Sequence, residues 1–203
     1  MKIKICGLRR KEDILYANEC LPDYVGFVFA ESRRRVTREQ ARDLRRALAD
    51  GISAVGVFVN EPEENIAELV REGIIDTVQL HGEETERGIG RLRALVPEAK
   101  IIKAVRVAAA EDICRGAQTE ADFLLLDAFS EKGRGGMGKK FDWELIRNIE
   151  KPYFLAGGVS VREISRAAEL PGIYAVDVSS AAETDGYKDR DKMREIVQAV
   201  RTV

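Results

Sequence analysis

The sequence predicts an α/β fold, a single (β/α)8 barrel with eight parallel strands, on two observations. Eight runs rich in Val, Ile, Leu and Phe alternate with eight helical patterns. Such alternation implies parallel strands joined by helical crossovers. Consecutive strand starts lie about 25 residues apart, near the repeat of a closed eight-stranded barrel. The main rival is an open doubly wound sheet, which usually has about five or six strands and a glycine-rich turn after the first. Gly7-Leu8-Arg9-Arg10 is not such a turn. No linker, low-complexity stretch or second core interrupts the pattern, so residues 1–203 read as one catalytic domain.

Taken in order, the first strand is Lys2–Cys6, followed by a helix over Lys11–Glu19. A strand at Tyr24–Phe29 leads through Ala30–Val36 to a helix over Thr37–Ala49, where Thr37 and Gln40 are placed as a capping box. The third strand, Ala54–Val59, precedes a helix over Pro62–Glu72, with proline near the start where it is tolerated. Then come Thr77–Leu80 with Thr85–Leu95, Lys100–Val105 with Ala110–Ala117, and Phe123–Asp127 with Trp143–Asn148. The connection Ala128–Phe141 is the longest, and Asp142 and Trp143 are expected to cap and anchor the helix after it. Tyr153–Ala156 with Val161–Leu170 and Tyr174–Ser179 with Asp189–Val203 complete the set.

Side chains alternate across a strand, so each strand offers one face to the helices and one to the barrel axis. In the first strand Ile3 and Ile5 share a face, and Lys2, Lys4 and Cys6 share the other. Assigning aliphatic faces outward sends Lys4, Cys6, Gln79, His81, Lys103, Asp127, Asp177 and Ser179 toward the axis. Buried charges need partners, and strands one and eight are neighbours in a closed barrel. A Lys4–Asp177 pair follows. Several of these residues end their strands, the end at which this fold places active sites.

Composition narrows the function. Net charge is −2, with both signs interspersed, so nothing marks a nucleic-acid or membrane surface. The three cysteines, Cys6, Cys20 and Cys114, are far apart and in no metal-ligand spacing, which suggests free thiols and no structural metal. Met1-Lys2-Ile3 leads straight into a strand, and no apolar run approaches membrane-spanning length; a cytoplasmic protein is expected. Cys6 is a candidate site thiol because it ends a strand on the inward face, although most buried cysteines are inert. Cys20 and Cys114 fall in helices and read as inert. Gly133–Lys139 lacks the spacing of a nucleotide phosphate loop and the hydroxyl after its lysine; it reads as a cover over the mouth.

The order of eight motifs extends the reading. Lys4-Ile5-Cys6-Gly7, Gly26-Phe27-Val28-Phe29, Gly56-Val57-Phe58-Val59-Asn60, Gln79-Leu80-His81-Gly82, Leu126-Asp127, Gly138-Lys139-Lys140-Phe141-Asp142-Trp143, Leu155-Ala156-Gly157-Gly158 and Ala175-Val176-Asp177-Val178-Ser179-Ser180 span the chain. In this order they resemble the phosphoribosylanthranilate isomerases of tryptophan biosynthesis. That resemblance implies a barrel without metal or organic cofactor, acting on phosphoribosylanthranilate by an Amadori rearrangement. It implies Cys6 as general base and Asp127 as general acid. It places the carboxylate-binding arginine at Arg34, with Arg33 and Arg35 as alternatives, since a guanidinium fork suits a carboxylate. His81 would line the pocket. Phosphate would sit on Gly157, Gly158, Ser179, Ser180 and Ala181, with Gly135 and Gly136 adding amides. Ala181-Ala182 stands where the family usually has Gly-Val, which bears on the phosphate geometry. The sister Amadori isomerase of histidine biosynthesis, or a dual-substrate version, is the nearest alternative; it carries aspartate where Cys6 stands. A non-catalytic phosphate-binding barrel is the third reading. Either a monomer or a homodimer fits.

Overall fold

A computed structural model describes residues 1–128, 141–147 and 149–203. Eight parallel strands close into a barrel in sequence order. They are β1 (Lys2–Cys6), β2 (Tyr24–Val28), β3 (Ser53–Phe58), β4 (Thr77–Leu80), β5 (Lys100–Val107), β6 (Phe123–Ala128), β7 (Tyr153–Leu155) and β8 (Ile173–Val178). The helices are α1 (Lys11–Cys20), α2 (Arg38–Ala47), α3 (Glu63–Arg71), α4 (Glu86–Leu95), α5 (Ala110–Ala117), α6 (Ile164–Ala168) and α7 (Arg190–Arg201). Thr37 and Gln40 form the expected capping box at α2: Gln40 N–H donates to Thr37 Oγ1 at 3.2 Å and Thr37 N–H to Gln40 Oε1 at 2.8 Å.

Two departures from expectation concern the last third of the chain. The helix expected over Trp143–Asn148 is a single 3-10 turn, Trp143–Leu145, and Asn148 lies outside the described residues. Asp142 caps this turn, its Oδ1 accepting the Glu144 N–H at 3.0 Å, and Trp143 is buried beneath Arg166. The helix expected over Val161–Leu170 is a 3-10 turn, Val161–Glu163, running into the short α6. An element the alternation did not announce follows β8: a hairpin of β9 (Glu183–Thr184) and β10 (Tyr187–Lys188).

Packing sorts the strand faces into two cores. Ile3 and Ile5 join Val25, Phe27, Val78, Leu80, Val176 and Val178 in the layer between barrel and helices. Val55, Ile102, Leu125, Phe154, Ala156 and Ala175 fill the barrel itself, with Tyr24, Ala104, Phe123 and Tyr174 packed against them. At the N-terminal end the Tyr24 and Tyr174 hydroxyls meet at 2.7 Å, and Lys2 Nζ lies 5.7 and 5.3 Å from their ring centres. That end of the barrel is therefore packed, and chemistry is confined to the other.

The interior assignment fails at one residue. Lys103 shares its face with Ile101 and Val105, both of which belong to the outer layer, whereas Ile102 and Ala104 turn inward. A Cβ on Gly116 of α5 would lie 2.5 Å from Val105 Cγ2, which confirms that this face meets a helix. Lys103 climbs the outside of β5 and donates to the Gly82 carbonyl and to Glu84 Oε2, each at 2.7 Å. A long side chain bracketed by aliphatic neighbours can sit on the helix-facing side if its head reaches the rim. By the same alternation the inward residue at the end of β5 is Arg106.

The expected ion pair is present. Lys4 and Asp177 are register partners across the β1–β8 seam, and Lys4 Nζ donates to Asp177 Oδ1 at 2.8 Å with Lys4 fully buried. Removing one partner of a buried pair strands the other charge, at a cost of roughly 3–5 kcal/mol. Lys4→Met is expected to lose stability of that order in urea titrations. Lys4→Met/Asp177→Leu should recover most of it, because no lone charge remains.

Candidate active site

Cys6 ends β1 on the face of Lys4, part-buried at the C-terminal mouth of the barrel. Its sulfur occupies room that a neighbouring glycine leaves open: a Cβ on Gly26 would lie 2.7 Å from Sγ. Ser179 Oγ donates to the Cys6 carbonyl at 3.2 Å and ties the ends of β1 and β8 together. Burial pushes the Cys6 thiol up from its ordinary value. Lys4 opposes this, Asp177 adds to it, and Lys188 opposes it. Burial outweighs the two cations, so the thiol rests protonated until something further favours the thiolate.

Asp127 lies toward the end of β6 on the face of Leu125, separated from β1 by two strands, β7 and β8. Its Oδ1 accepts the Ala128 N–H at 2.8 Å, and its Oδ2 lies 3.6 Å from His81 Nε2. The Gln79 amide nitrogen stands 2.9 Å from His81 Nδ1. A neutral ring accepting there carries its proton on Nε2, facing the carboxylate. Gly157 closes this wall. At φ +80° it adopts a conformation costly for other residues, and a Cβ there would lie 3.2 Å from Asp127 Oδ1.

Of the three consecutive arginines, Arg34 turns into the mouth. Its stem lies across Gly7, where a Cβ would meet Arg34 Cδ at 2.3 Å. Nε and Nη2 donate to Glu183 Oε1 and Oε2 at 2.6 and 2.8 Å. Arg33 is largely exposed and reaches Glu183 at 3.1 Å, while Arg35 pairs at the surface with Glu31. Lys188, buried, donates to Glu183 Oε1 at 2.7 Å and to the Ser179 carbonyl at 3.0 Å. Burial lowers Lys188 despite Glu183. For Glu183 burial acts upward, but the hydrogen bonds from Arg34 and Lys188 outweigh it and hold the carboxylate at about 2.

Gly158 also sits at φ +80°, beside Gly157, and Ser180–Ala182 forms a 3-10 turn directly after Ser179. Ala182 gives its N–H to the Ser179 carbonyl at 3.2 Å, which leaves Ser180 and Ala181 as the candidate donors for an anion. Among the described residues, the non-glycine residues with positive φ are Leu21, Asn60 and Asp185. Ala181 is not among them, so alanine there strains nothing. Gly135, Gly136 and the rest of Gly133–Lys139 lie outside the described residues. Among the described residues no group of three or more His, Cys, Asp or Glu side chains stands where it could hold a metal ion. None of their helices is long and apolar enough to cross a membrane.

Glu183, Lys188 and Arg106 escaped the alternation argument. The hairpin carrying the first two did have a signal, the Asp185-Gly186 dipeptide that two-residue hairpin turns favour. Both residues have positive φ, 51° and 79°.

Known proteins share both the sequence pattern and the barrel. Residues 3–199 match the family model described as N-(5'phosphoribosyl)anthranilate (PRA) isomerase. A protein of Endomicrobium trichonymphae named N-(5'-phosphoribosyl)anthranilate isomerase is 45% identical over 202 residues, covering 100% of this chain and 99% of the relative. The crystal structure of phosphoribosyl anthranilate isomerase from Thermotoga maritima superposes with a TM-score of 0.87 at 34% identity, with 100% of each chain covered. A structure of such an isomerase in complex with reduced 1-(o-carboxyphenylamino)-1-deoxyribulose 5-phosphate gives 0.83 at 33% identity over the same coverage. Full-length likeness in sequence and in fold places the chain in the N-(5'-phosphoribosyl)anthranilate isomerase family.

Proposed function

We propose that the chain converts N-(5'-phosphoribosyl)anthranilate to 1-(o-carboxyphenylamino)-1-deoxyribulose 5-phosphate, a step of tryptophan biosynthesis. All 203 residues act as one catalytic barrel in the cytoplasm, as a monomer or a homodimer. Asp127 gives its proton to the ribose ring oxygen, the bond from that oxygen to carbon 1 breaks, and the nitrogen lone pair forms the iminium. Cys6, as thiolate, removes the proton from carbon 2, and the electrons of that bond make the enolamine. Ketonisation places a proton on carbon 1 and releases the one on the carbon-2 hydroxyl, with no net loss of atoms. The iminium's positive charge is itself a reason for the thiol to ionise only once substrate is bound.

The observation that carries this reading is the full-length family match of a chain whose Cys6 and Asp127 end inward faces at one mouth. Arg34 would take the anthranilate carboxylate, His81 would line the pocket, and Gly157, Gly158, Ser179, Ser180 and Ala181 would hold the phosphate. Gly135 and Gly136 would add amides from their loop. The test follows the fluorescence of phosphoribosylanthranilate, with the aminoaldose substrate of the histidine pathway assayed in parallel. Wild-type protein should consume the first and leave the second. Turnover of the histidine-pathway substrate alone, or of neither, overturns the assignment.

A further inference from the structure

Three cations converge on one carboxylate at the rim: Arg34, Lys188 and Arg33 all donate to Glu183. One negative charge against three positive ones leaves an uncompensated excess, which suits a site that receives an anion. The geometry says where. Glu183 engages Arg34 along its Nε–Nη2 edge, and Arg34 Nη1 has no hydrogen-bond partner among the described residues. Gly7 fixes the stem from below, next to Cys6. Glu183 in turn is anchored by Lys188, whose second bond, to the Ser179 carbonyl, reaches the turn that begins at Ser180.

We propose that Glu183 is a positioning residue for Arg34: it orients the guanidinium plane so that the unengaged Nη1 side meets the carboxylate of the ligand beside Cys6. Glu183 does not touch the ligand. Lys188 holds Glu183 and links the carboxylate end of the pocket to its phosphate corner. For the ligand's identity the inference rests on the activity proposed above.

The experiment is calorimetric titration with two product analogues, the reduced carboxyphenylamino-deoxyribulose phosphate and its phenylamino counterpart lacking the carboxylate. Misplacing a binding group by about 1 Å can cost on the order of a hundredfold. Glu183→Gln should therefore weaken the carboxylate-bearing ligand roughly 10–100-fold, and the other by less than about threefold. Arg34→Ala and Arg34→Ala/Glu183→Gln should bind the carboxylate ligand equally, since Glu183 acts only through Arg34. If Glu183→Gln does not fold, Glu183→Asp, which keeps the charge but shortens the reach, reports the same contrast between ligands. Equal weakening of both ligands, weakening of neither, or additive losses in the double variant overturn the inference and leave the activity standing. A wild-type protein that binds neither analogue overturns both.

Discussion

Cys6→Ala is expected to lower kcat by about 10²–10⁴-fold, the usual share of one positioned acid or base. That is roughly 3–5 kcal/mol of barrier. The loss should come with little change in folding, because the thiol occupies a niche open to the mouth and its deletion leaves Ile3 and Ile5 packed as before. The pH profile makes the claim specific. Burial holds the Cys6 thiol above its ordinary value, and a base works deprotonated. In wild type, kcat/KM should thus rise with pH through the neutral range as the thiolate fraction grows. Residual activity of Cys6→Ala should lose that rise. Steady-state rates of wild type and variant from pH 6 to 9, with melting temperatures alongside, are the measurement. Near-normal turnover of Cys6→Ala would remove the thiol from the chemistry.

The strands were readable because a parallel barrel buries both faces, so each strand is an apolar run that stands out against charged helices. Their inner faces were readable where one face was wholly aliphatic, as for Ile3 and Ile5 against Lys4 and Cys6. On β5 the rule misled. Both faces are mainly aliphatic there, and the lysine belongs to the outer one because its head reaches Glu84 at the rim. A rule that a charge marks the inside cannot distinguish a buried lysine from one whose stem lies on the helix side.

The site was legible in proportion to how local its signals are. Cys6, Asp127 and Ser179 are at or near strand ends, so periodicity fixes which neighbours share their faces, and the wholly aliphatic opposite face sets their direction; only resemblance supplied the reaction. Glu183 is different. Its meaning comes from Arg34, 149 positions earlier, and from Lys188 across a hairpin whose strands are two residues each. Nothing in a window around Glu183 separates it from a solvated glutamate. Trp143–Leu145 shows the opposite limit: an apolar pattern with a good cap predicts a helix, yet the segment makes one 3-10 turn, buries Trp143 and stops.

Asp127→Asn should lower kcat by a similar 10²–10⁴-fold but at a different step, which separates the acid from the base. Asparagine keeps the shape, and its side-chain oxygen can still accept the Ala128 N–H that Asp127 Oδ1 accepts now. What it loses is a proton to deliver to the ring oxygen. Ring opening then limits the rate, and deuterium at carbon 2 of the substrate should have almost no effect on turnover. In Cys6→Ser, where removal of that proton limits instead, the same label should slow the reaction by a full primary isotope effect. The two variants are thus distinguishable even if their rates coincide. His81, with Nε2 at 3.6 Å from Asp127, gives the alternative a concrete form. If Asp127→Asn keeps near-normal turnover and His81→Gln abolishes it, the acid is the imidazole. If the isotope effect is full in Asp127→Asn, its loss lies at carbon 2 and Asp127 does not serve ring opening. The suppressed isotope effect in Asp127→Asn, beside the full one in Cys6→Ser, is the outcome that two inward residues with separate proton transfers require.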